Sequence, residues 1–326
     1  MAKLSSLTGT LEQRVCLFGP PKSGKTELAG KLAEKYKILF FSLENGHSTL
    51  AKLPAEWQER IDVINIRDSR VYPIAIETMM KVVKGDAVMI CQQHSKVACP
   101  VCSKKPDAVI ERVCLNEVEL DTIVVIDSLT QLTNSGIAHI TKNQPDDYKL
   151  QLDDWGALKV LMDKFLSQIQ VARYNVVCVT HEEEVKFEDG RSKIVPVSGS
   201  ANSSRNTAKY FDHVAYCNLT NKKHTVGSAT DYSMSVLTGS RTDVKLESMK
   251  EASLLDIFTN WKLDNFGMKI AGGDNEGANE QVSSNNGSSD TNKSELDTSS
   301  GSNIPSTTQL TPAQQALANL KARGGK

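Results

Sequence analysis

Apolar positions in this chain follow two rhythms that take turns. Short unbroken runs of strand length lie at Val15-Cys-Leu-Phe18, at 37–43 (Lys-Ile-Leu-Phe-Phe-Ser-Leu), at 61–66 (Ile-Asp-Val-Ile-Asn-Ile), at Thr122–Ile126 and at Val176–Val179. Such runs read as strands. Between them apolar residues recur at helical spacing: Leu28, Leu32 and Ala33 over 26–36, then Ile76, Met79, Met80 and Val83 over 72–83. The longest helical pattern covers 155–174 through Leu158, Leu161, Met162, Phe165, Leu166 and Ile169, with Asp153-Asp154 as its cap and Trp155 as packing. Alternation of this kind predicts an α/β fold with a mostly parallel central sheet flanked by helices.

The later chain is less regular. Residues 187–193 read as a polar hairpin tip, and 196–209, rich in Gly and Ser, as a mobile loop. Phe211–Tyr216 and Tyr232–Leu237 read as strands joined by a basic turn, Lys222-Lys223-His224. No aromatic residue follows Phe266, and 272–304 offers almost nothing to bury, which predicts a disordered tail. Helical pattern returns at 310–323, with Thr311 as N-cap and Pro312 at the first helical position. The expected division is a domain at 1–270 that contains a cysteine-rich insertion at 91–117, a linker at 271–309 and a helical peptide at 310–326.

Composition narrows the partners. The 38 Lys+Arg nearly balance the 39 Asp+Glu, so a broad basic face for nucleic acid is absent and only a local one remains. No apolar run approaches the ~20 residues that span a bilayer. The first residues, Met-Ala-Lys-Leu-Ser-Ser, lack the apolar stretch of a signal peptide. The chain therefore reads as cytoplasmic, with no membrane partner, and its seven cysteines do not read as a disulfide framework.

Directly after the first strand stands Gly19-Pro20-Pro21-Lys22-Ser23-Gly24-Lys25-Thr26, which fits G-x-x-x-x-G-K-[ST]. Its glycines let successive backbone N–H groups turn inward around an anion, and the following helix adds the positive end of its dipole. Lys25 is expected to reach the β- and γ-phosphates of ATP, and the Thr26 hydroxyl to bind Mg²⁺. A chance match in a Gly-containing loop is the alternative, and the flanking strand and helix argue against it. The run Thr122–Ile126 ends in Asp127, the pattern of a Walker B strand, whose aspartate holds Mg²⁺. No glutamate follows Asp127, so the carboxylate that activates water must come from elsewhere. Glu44, at the end of the second strand, is the candidate, because open α/β sheets bind ligands at the carboxyl ends of their strands. Alone, Glu44 would read as a solvated turn residue. His181 ends the fifth apolar run; it either donates to the γ-phosphate and senses it or faces water.

Four cysteines crowd one segment as Cys91-(x)2-His94-(x)4-Cys99-Pro-Val-Cys102-(x)11-Cys114. A Cys-x-x-Cys turn places two thiolates on one ion, and a second pair completes a tetrahedral zinc site. Cys99, Cys102 and Cys114 are the expected Zn²⁺ ligands, with Cys91 or His94 as the fourth. Residues 109–113 read as a hairpin arm. Incidental cysteines and a redox pair are the alternatives. Arg205, Lys209 and Arg241 can contact nucleic acid or, across a subunit interface, a neighbour's ATP; each also reads as a solvated charge.

The order of these features resembles the RecA-class ATPases. It is most similar to the phage RecA-like nucleotide-binding proteins linked to single-strand annealing and recombination. The resemblance covers about residues 10–265. It implies a RecA-like P-loop fold and an ATPase stimulated by DNA, with Glu44 activating water and His181 coupling the γ-phosphate to DNA-binding loops. It further implies single-stranded DNA as partner, a homo-oligomeric ring or filament, contact with single-strand-binding or other replication and recombination proteins, and a host cytoplasm if a phage encodes the chain. RecA-type proteins usually carry glutamine where this chain has His181, and the cysteine insertion is foreign to their common core. The other reading is an ATP-dependent switch or loader that acts on a protein partner without touching DNA.

Overall fold

The computed structural model describes residues 12–69, 72–186, 190–220, 223–227, 235–241 and 253–259. All of them belong to the unit Met1–Asp274. The expected tail at 271–309, the helix at 310–326, Lys222 and most of the strand at Tyr232–Leu237 lie outside the described residues.

Strand β1 (Arg14–Gly19) leads into helix α1 (Lys25–Gly30). Then come β2 (Lys37–Ser42), α2 (Ala55–Gln58), β3 (Ile61–Asn65) and α3 (Ile74–Val82). A hairpin of β4 (Val88–Cys91) and β5 (Ile110–Val113) breaks the alternation. It resumes with β6 (Thr122–Asp127), α4 (Leu129–Thr141), α5 (Leu152–Gln170), β7 (Asn175–Lys186) and β8 (Ser192–Pro196). The last described elements are α6 (Ala201–Asn206), β9 (His213–Thr220), β10 (Lys223–Gly227), β11 (Gly239–Ser240) and α7 (Leu255–Thr259).

The central sheet runs β10-β9-β1-β7-β6-β2-β3. From β9 to β3 every neighbouring pair is parallel, while β8, β10 and β11 pair antiparallel with β7 or β9. The α/β expectation holds, and the sequence explains why. A strand's side chains alternate between faces. Val15 and Leu17 of β1, Ile38 and Phe40 of β2, and Ile123 and Val125 of β6 pack with Leu28 and Ala29 of α1 and with Leu32 just after it. Their neighbours Cys16, Phe18, Phe41, Val124 and Ile126 meet α3, α4 and α5 on the other side. With both faces covered, these strands must be apolar without interruption, which is the run pattern of the sequence. Fully burying each Phe, Leu or Ile there contributes roughly 1.5–3 kcal/mol.

Three local expectations are corrected. First, α5 begins at Leu152 rather than Trp155. Gln151 is its cap, and Asp154, in the first turn, accepts a reciprocal bond from the Gln151 backbone at 2.8 Å. Second, 196–209 is not an open loop. Ser200 caps α6, and Ser198, Ser203, Ser204 and Thr207 are buried. The Ser204 hydroxyl accepts from the Ser198 backbone at 3.2 Å, and Ser198 bonds to Thr207 through their hydroxyls. Serines that resemble loop composition satisfy one another here and let the segment pack closely. Third, Lys223 and His224 are not in a turn; they open β10, which pairs His224 with Leu219 of β9.

Candidate functional site

Strand register assembles the site. Gly19 of β1 sits beside His181 of β7, and Asp127 of β6 sits beside both Val179 of β7 and Ser42 of β2. The carboxyl ends of β1, β6 and β2, and the point where β7 leaves its parallel neighbours to pair with β8, thus form one row, with the phosphate loop, His181, Asp127 and, just past Ser42, Glu44 along it. Residues from four separate stretches of sequence converge because the parallel ladders between these strands stop level.

The phosphate loop is tightly constrained. Gly24 has φ 89°, in the left-handed region that favours glycine. A Cβ on Gly24 would lie 2.6 Å from His224 Nδ1. His224 donates from Nδ1 to the Ser23 carbonyl at 2.6 Å, and the Cys217 thiol donates to the same oxygen at 3.1 Å. The hairpin β9–β10 therefore backs the loop. Composition had marked His224 only as part of a basic turn, and nothing in its local sequence tied it to Ser23. Lys25 donates from Nζ to the carbonyls of Gly19 at 2.9 Å and Pro20 at 2.7 Å. Burial holds its ammonium below the usual lysine range, against the pull of Cys217, Asp127, Glu44 and Glu182. A buried ammonium ringed by weak carbonyl acceptors suits a charge-bearing ligand such as a phosphate.

Thr26 donates its hydroxyl hydrogen to Asp127 Oδ2 at 2.7 Å. Burial pushes the Asp127 carboxyl up to about 6, with Glu44 adding to the rise and the Thr26 hydrogen bond and Lys25 opposing it. Gly46 closes over this pair: a Cβ there would lie 2.9 Å from Asp127 Oδ2 and 3.3 Å from Thr26 Oγ1. A hydroxyl and a carboxylate side by side under a glycine fit a hard divalent cation such as Mg²⁺. Gly46 was visible in the sequence only as part of a turn.

Glu44 stands exposed past the end of β2, and Ser128 donates its hydroxyl hydrogen to Glu44 Oε1. Ser128 also caps α4 by accepting from the Gln131 backbone at 3.2 Å. His181 is half-buried. Its backbone N–H donates to Thr130 Oγ1 at 2.9 Å, and burial lowers its pKa while Glu44 pulls the other way. Thr180, before it, donates to the Val197 carbonyl at 2.6 Å, and the Val197 N–H donates to the His181 carbonyl at 2.9 Å. The middle of β7 is thus stitched to the segment that leads into α6.

The basic residues sit elsewhere. Arg205 donates to the Lys186 carbonyl, and the Lys209 ammonium lies 4.6 Å from the centroid of the Tyr210 ring. Arg241 pairs with Asp212 at 3.3 Å and donates to the Lys209 carbonyl at 3.0 Å. Asp212 is also the partner of buried Arg14, at the amino end of β1. Lys209 and Arg241 therefore lie at the amino edge of the sheet, about six residues of strand, or roughly 20 Å, from the phosphate loop. Neither reaches the nucleotide row of its own chain.

In the cysteine segment, Cys91, His94, Cys99 and Cys102 converge with all four ligand atoms within 4.8 Å of one another. Cys114 does not join them, which corrects the expected ligand set. The hairpin register pairs Cys91 with Ile110 and Val88 with Val113, so Cys114 lies beyond the opposite end of the ribbon. There its thiol donates to the Gly85 carbonyl at 3.4 Å. The Cys99 thiol is drawn down to about 6, chiefly because the Cys102 backbone N–H donates to it.

A glycine-lined phosphate loop on a parallel sheet, with an aspartate at the end of a neighbouring strand facing the loop's threonine, defines a P-loop ATPase. Comparison with protein families agrees with this class. The chain belongs to the AAA domain family, which matches residues 11–245. Among solved structures it is similar to a prototypical ATPase from the type III secretion system of pathogenic bacteria, at 12% identity and a TM-score of 0.36. That match covers 64% of this chain and 51% of the other, so it spans about half of that ATPase. Comparison with curated proteins found no match. Among the described residues, no helix is long and apolar enough to cross a membrane.

Proposed function

We propose that this chain binds ATP with Mg²⁺ and hydrolyses it, and that it acts on single-stranded DNA in recombination, repair or replication. The observation that carries the hydrolytic reading is the gathering of Asp127 and Glu44, at and just past the ends of β6 and β2, around Lys25 of the phosphate loop that follows β1. Bound Mg²⁺ would supply charge neutralisation at the phosphates. Lys25 and the loop N–H groups hold the anion, and Thr26 and Asp127 are the residues that would hold the cation. Glu44 is the base that takes a proton from water, and Ser128 orients it. His181, stitched to Val197, can pass the state of the site to α6.

The DNA part of the reading rests on the resemblance to RecA-class proteins in the order of motifs. So does assembly into a ring or filament, in which Arg241, exposed at the opposite edge of the sheet, would reach a neighbour's nucleotide. The second reading is a switch or loader for a protein partner. One observation favours it: Arg205, Lys209 and Arg241 all make contacts within their own chain. Phosphate release with and without an oligothymidine separates the two. Stimulation by the oligonucleotide supports the DNA reading; turnover that is indifferent to it supports the loader.

A further inference from the structure

We propose that Cys91, His94, Cys99 and Cys102 bind one zinc ion and that this ion holds the β4–β5 hairpin in shape. His94 Nδ1 lies 3.2 Å from Cys102 Sγ, 3.5 Å from Cys99 Sγ and 3.9 Å from Cys91 Sγ. A tetrahedral zinc with bonds of about 2.0–2.3 Å separates its ligands by roughly 3.5 Å, so His94 already stands near zinc spacing from each of the three thiols. All three cysteines are buried, yet their cluster contains only themselves and Ala108. Ile90 and Val113 anchor the hairpin in the main core, but the end that carries His94, Cys99 and Cys102 has only the three cysteines and Ala108 to bury, too little to hold it by apolar burial. Two non-glycine residues here, Ser95 at φ 54° and Ala98 at φ 52°, adopt the left-handed conformation. They make the turns that bring His94 and Cys99 inward, an uncommon arrangement that an ion would compensate. The loop is clamped to the domain by Ser95, which donates to the Asn65 carbonyl at 2.7 Å and accepts on its own carbonyl from Thr78 at 2.8 Å.

Elemental analysis of the full chain, purified without chelator, should find one zinc per chain. Exchange with Co²⁺ should give the thiolate charge-transfer and tetrahedral ligand-field bands of a Cys₃His site. Cys114→Ser should keep the metal, and Cys99→Ser with Cys102→Ser should lose it. A metal-free parent that also gives no Co²⁺ bands overturns the proposal. So does loss of zinc in Cys114→Ser with retention in the double variant.

A second observation stands apart from the metal and rests on the DNA reading above. The geometry points to the cleft between this hairpin and the end of β3 as the place where a single strand of nucleic acid binds. The cleft measures about 580 Å³ and runs between Asn65–Ser69 and Gln92–Lys96. Arg67 faces it from one wall and Lys96 from the other, with the amides of Asn65, Gln92 and Gln93 between them. The one carboxylate in its lining, Asp68, is engaged on both oxygens: by the Ala75 N–H and Ser135 hydroxyl at 2.8 and 2.9 Å, and by Gln131 at 3.1 Å. Cations suited to phosphates and amides suited to base edges are the chemistry of single-strand contact. The exposed ring of Tyr72, 4.0 Å from the Lys96 ammonium, adds an aromatic surface beside it. From the cleft, hydrogen bonds run from Asp68 to Gln131, on to Ser128 and then to Glu44.

Anisotropy of a labelled oligothymidine with ATP present tests the location. Arg67→Ala with Lys96→Ala should weaken binding at least tenfold and lower the salt slope by about 1.4, since each of the two lost phosphate contacts on a single strand is worth about 0.7. Arg205→Ala with Lys209→Ala should bind like the parent, and both variants should bind ATP normally. If the cleft variant binds like the parent and the Arg205 and Lys209 variant does not, the strand lies at α6 and this location is wrong. A parent that binds no oligonucleotide at any salt overturns the DNA reading and the cleft together.

Discussion

Thr26 and Asp127 are 101 positions apart in the chain, and the hydroxyl of the first donates to the carboxylate of the second at 2.7 Å. The bond joins the start of α1 to the end of β6. It sets two oxygens beside each other under Gly46, where any side chain would intrude. On the proposed reading, a cation entering this corner would find its two protein oxygens already placed, with little ordering cost at binding.

Gly46→Ala tests that corner. Its new Cβ would stand 2.9 Å from Asp127 Oδ2, an atom on a short, buried side chain with little room to yield. The carboxylate must turn from Thr26. Affinity for a fluorescent ATP analogue should fall about tenfold in the presence of Mg²⁺ and change little without it, as expected for about 1.4 kcal/mol lost at the cation. Equal affinity in both conditions would show that the corner relaxes around the methyl group.

Lys25→Ala should abolish tight ATP binding or turnover. Lys25 is the ammonium held inside the loop by the Gly19 and Pro20 carbonyls, and alanine leaves nothing of its charge against the β- and γ-phosphates. Equilibrium dialysis and phosphate release check it. Undiminished hydrolysis in the purified variant would sink the assignment of the phosphate loop.

Glu44→Gln should bind ATP normally and turn it over at least ~10²-fold more slowly, the scale of a lost general base. Ser128→Ala removes both the partner of Glu44 and the cap of α4. It should cost about 1 kcal/mol of stability for the cap. It should also lower kcat with little change in ATP affinity. A Ser128 variant that loses stability but keeps full turnover would show that Glu44 needs no orienting partner.

His213 predicts a pH dependence of stability. It is buried, bonded to Gln13 at 2.8 Å and Ser240 at 2.9 Å, and burial lowers its pKa from 6.5 to about 4, against the pull of Asp212. Above pH 6.5 the ring is neutral whether the chain is folded or not, and it contributes no pH dependence. As pH falls from 6.5 toward 4, the unfolded chain takes up the proton and the folded one does not, so stability falls. The loss across that window should reach roughly 2–3 kcal/mol. Urea unfolding at pH 7.5 and 4.5 measures it, and His213→Asn should flatten that part of the profile. An unchanged profile in the variant would assign the acid sensitivity to other groups.

By itself, the sequence determined the class of fold and the chemical outline of the site. Unbroken apolar runs marked strands covered on both faces, and the phosphate loop, Asp127, Glu44 and His181 each stood at the end of such a run. Those features are local: a run, a turn and a terminal polar residue are read within ten positions of one another. Tertiary structure alone decided what depends on register and strand order. It set Gly46 over Asp127, brought His224 to the back of the phosphate loop, and turned a serine-rich stretch into a short helix packed through Ser203 and Ser204. It also gathered His94 and Cys91, not Cys114, with Cys99 and Cys102, because the β4–β5 pairing places Cys114 at the far end of the ribbon. The basic residues show the same limit. Their charge was plain in the sequence, but Lys209 and Arg241 fell at the amino edge of the sheet, where Arg241 pairs with Asp212. Spacing along a chain fixes neither the register of two strands nor the edge on which a loop emerges; both are set by burial and hydrogen bonding between segments far apart in sequence.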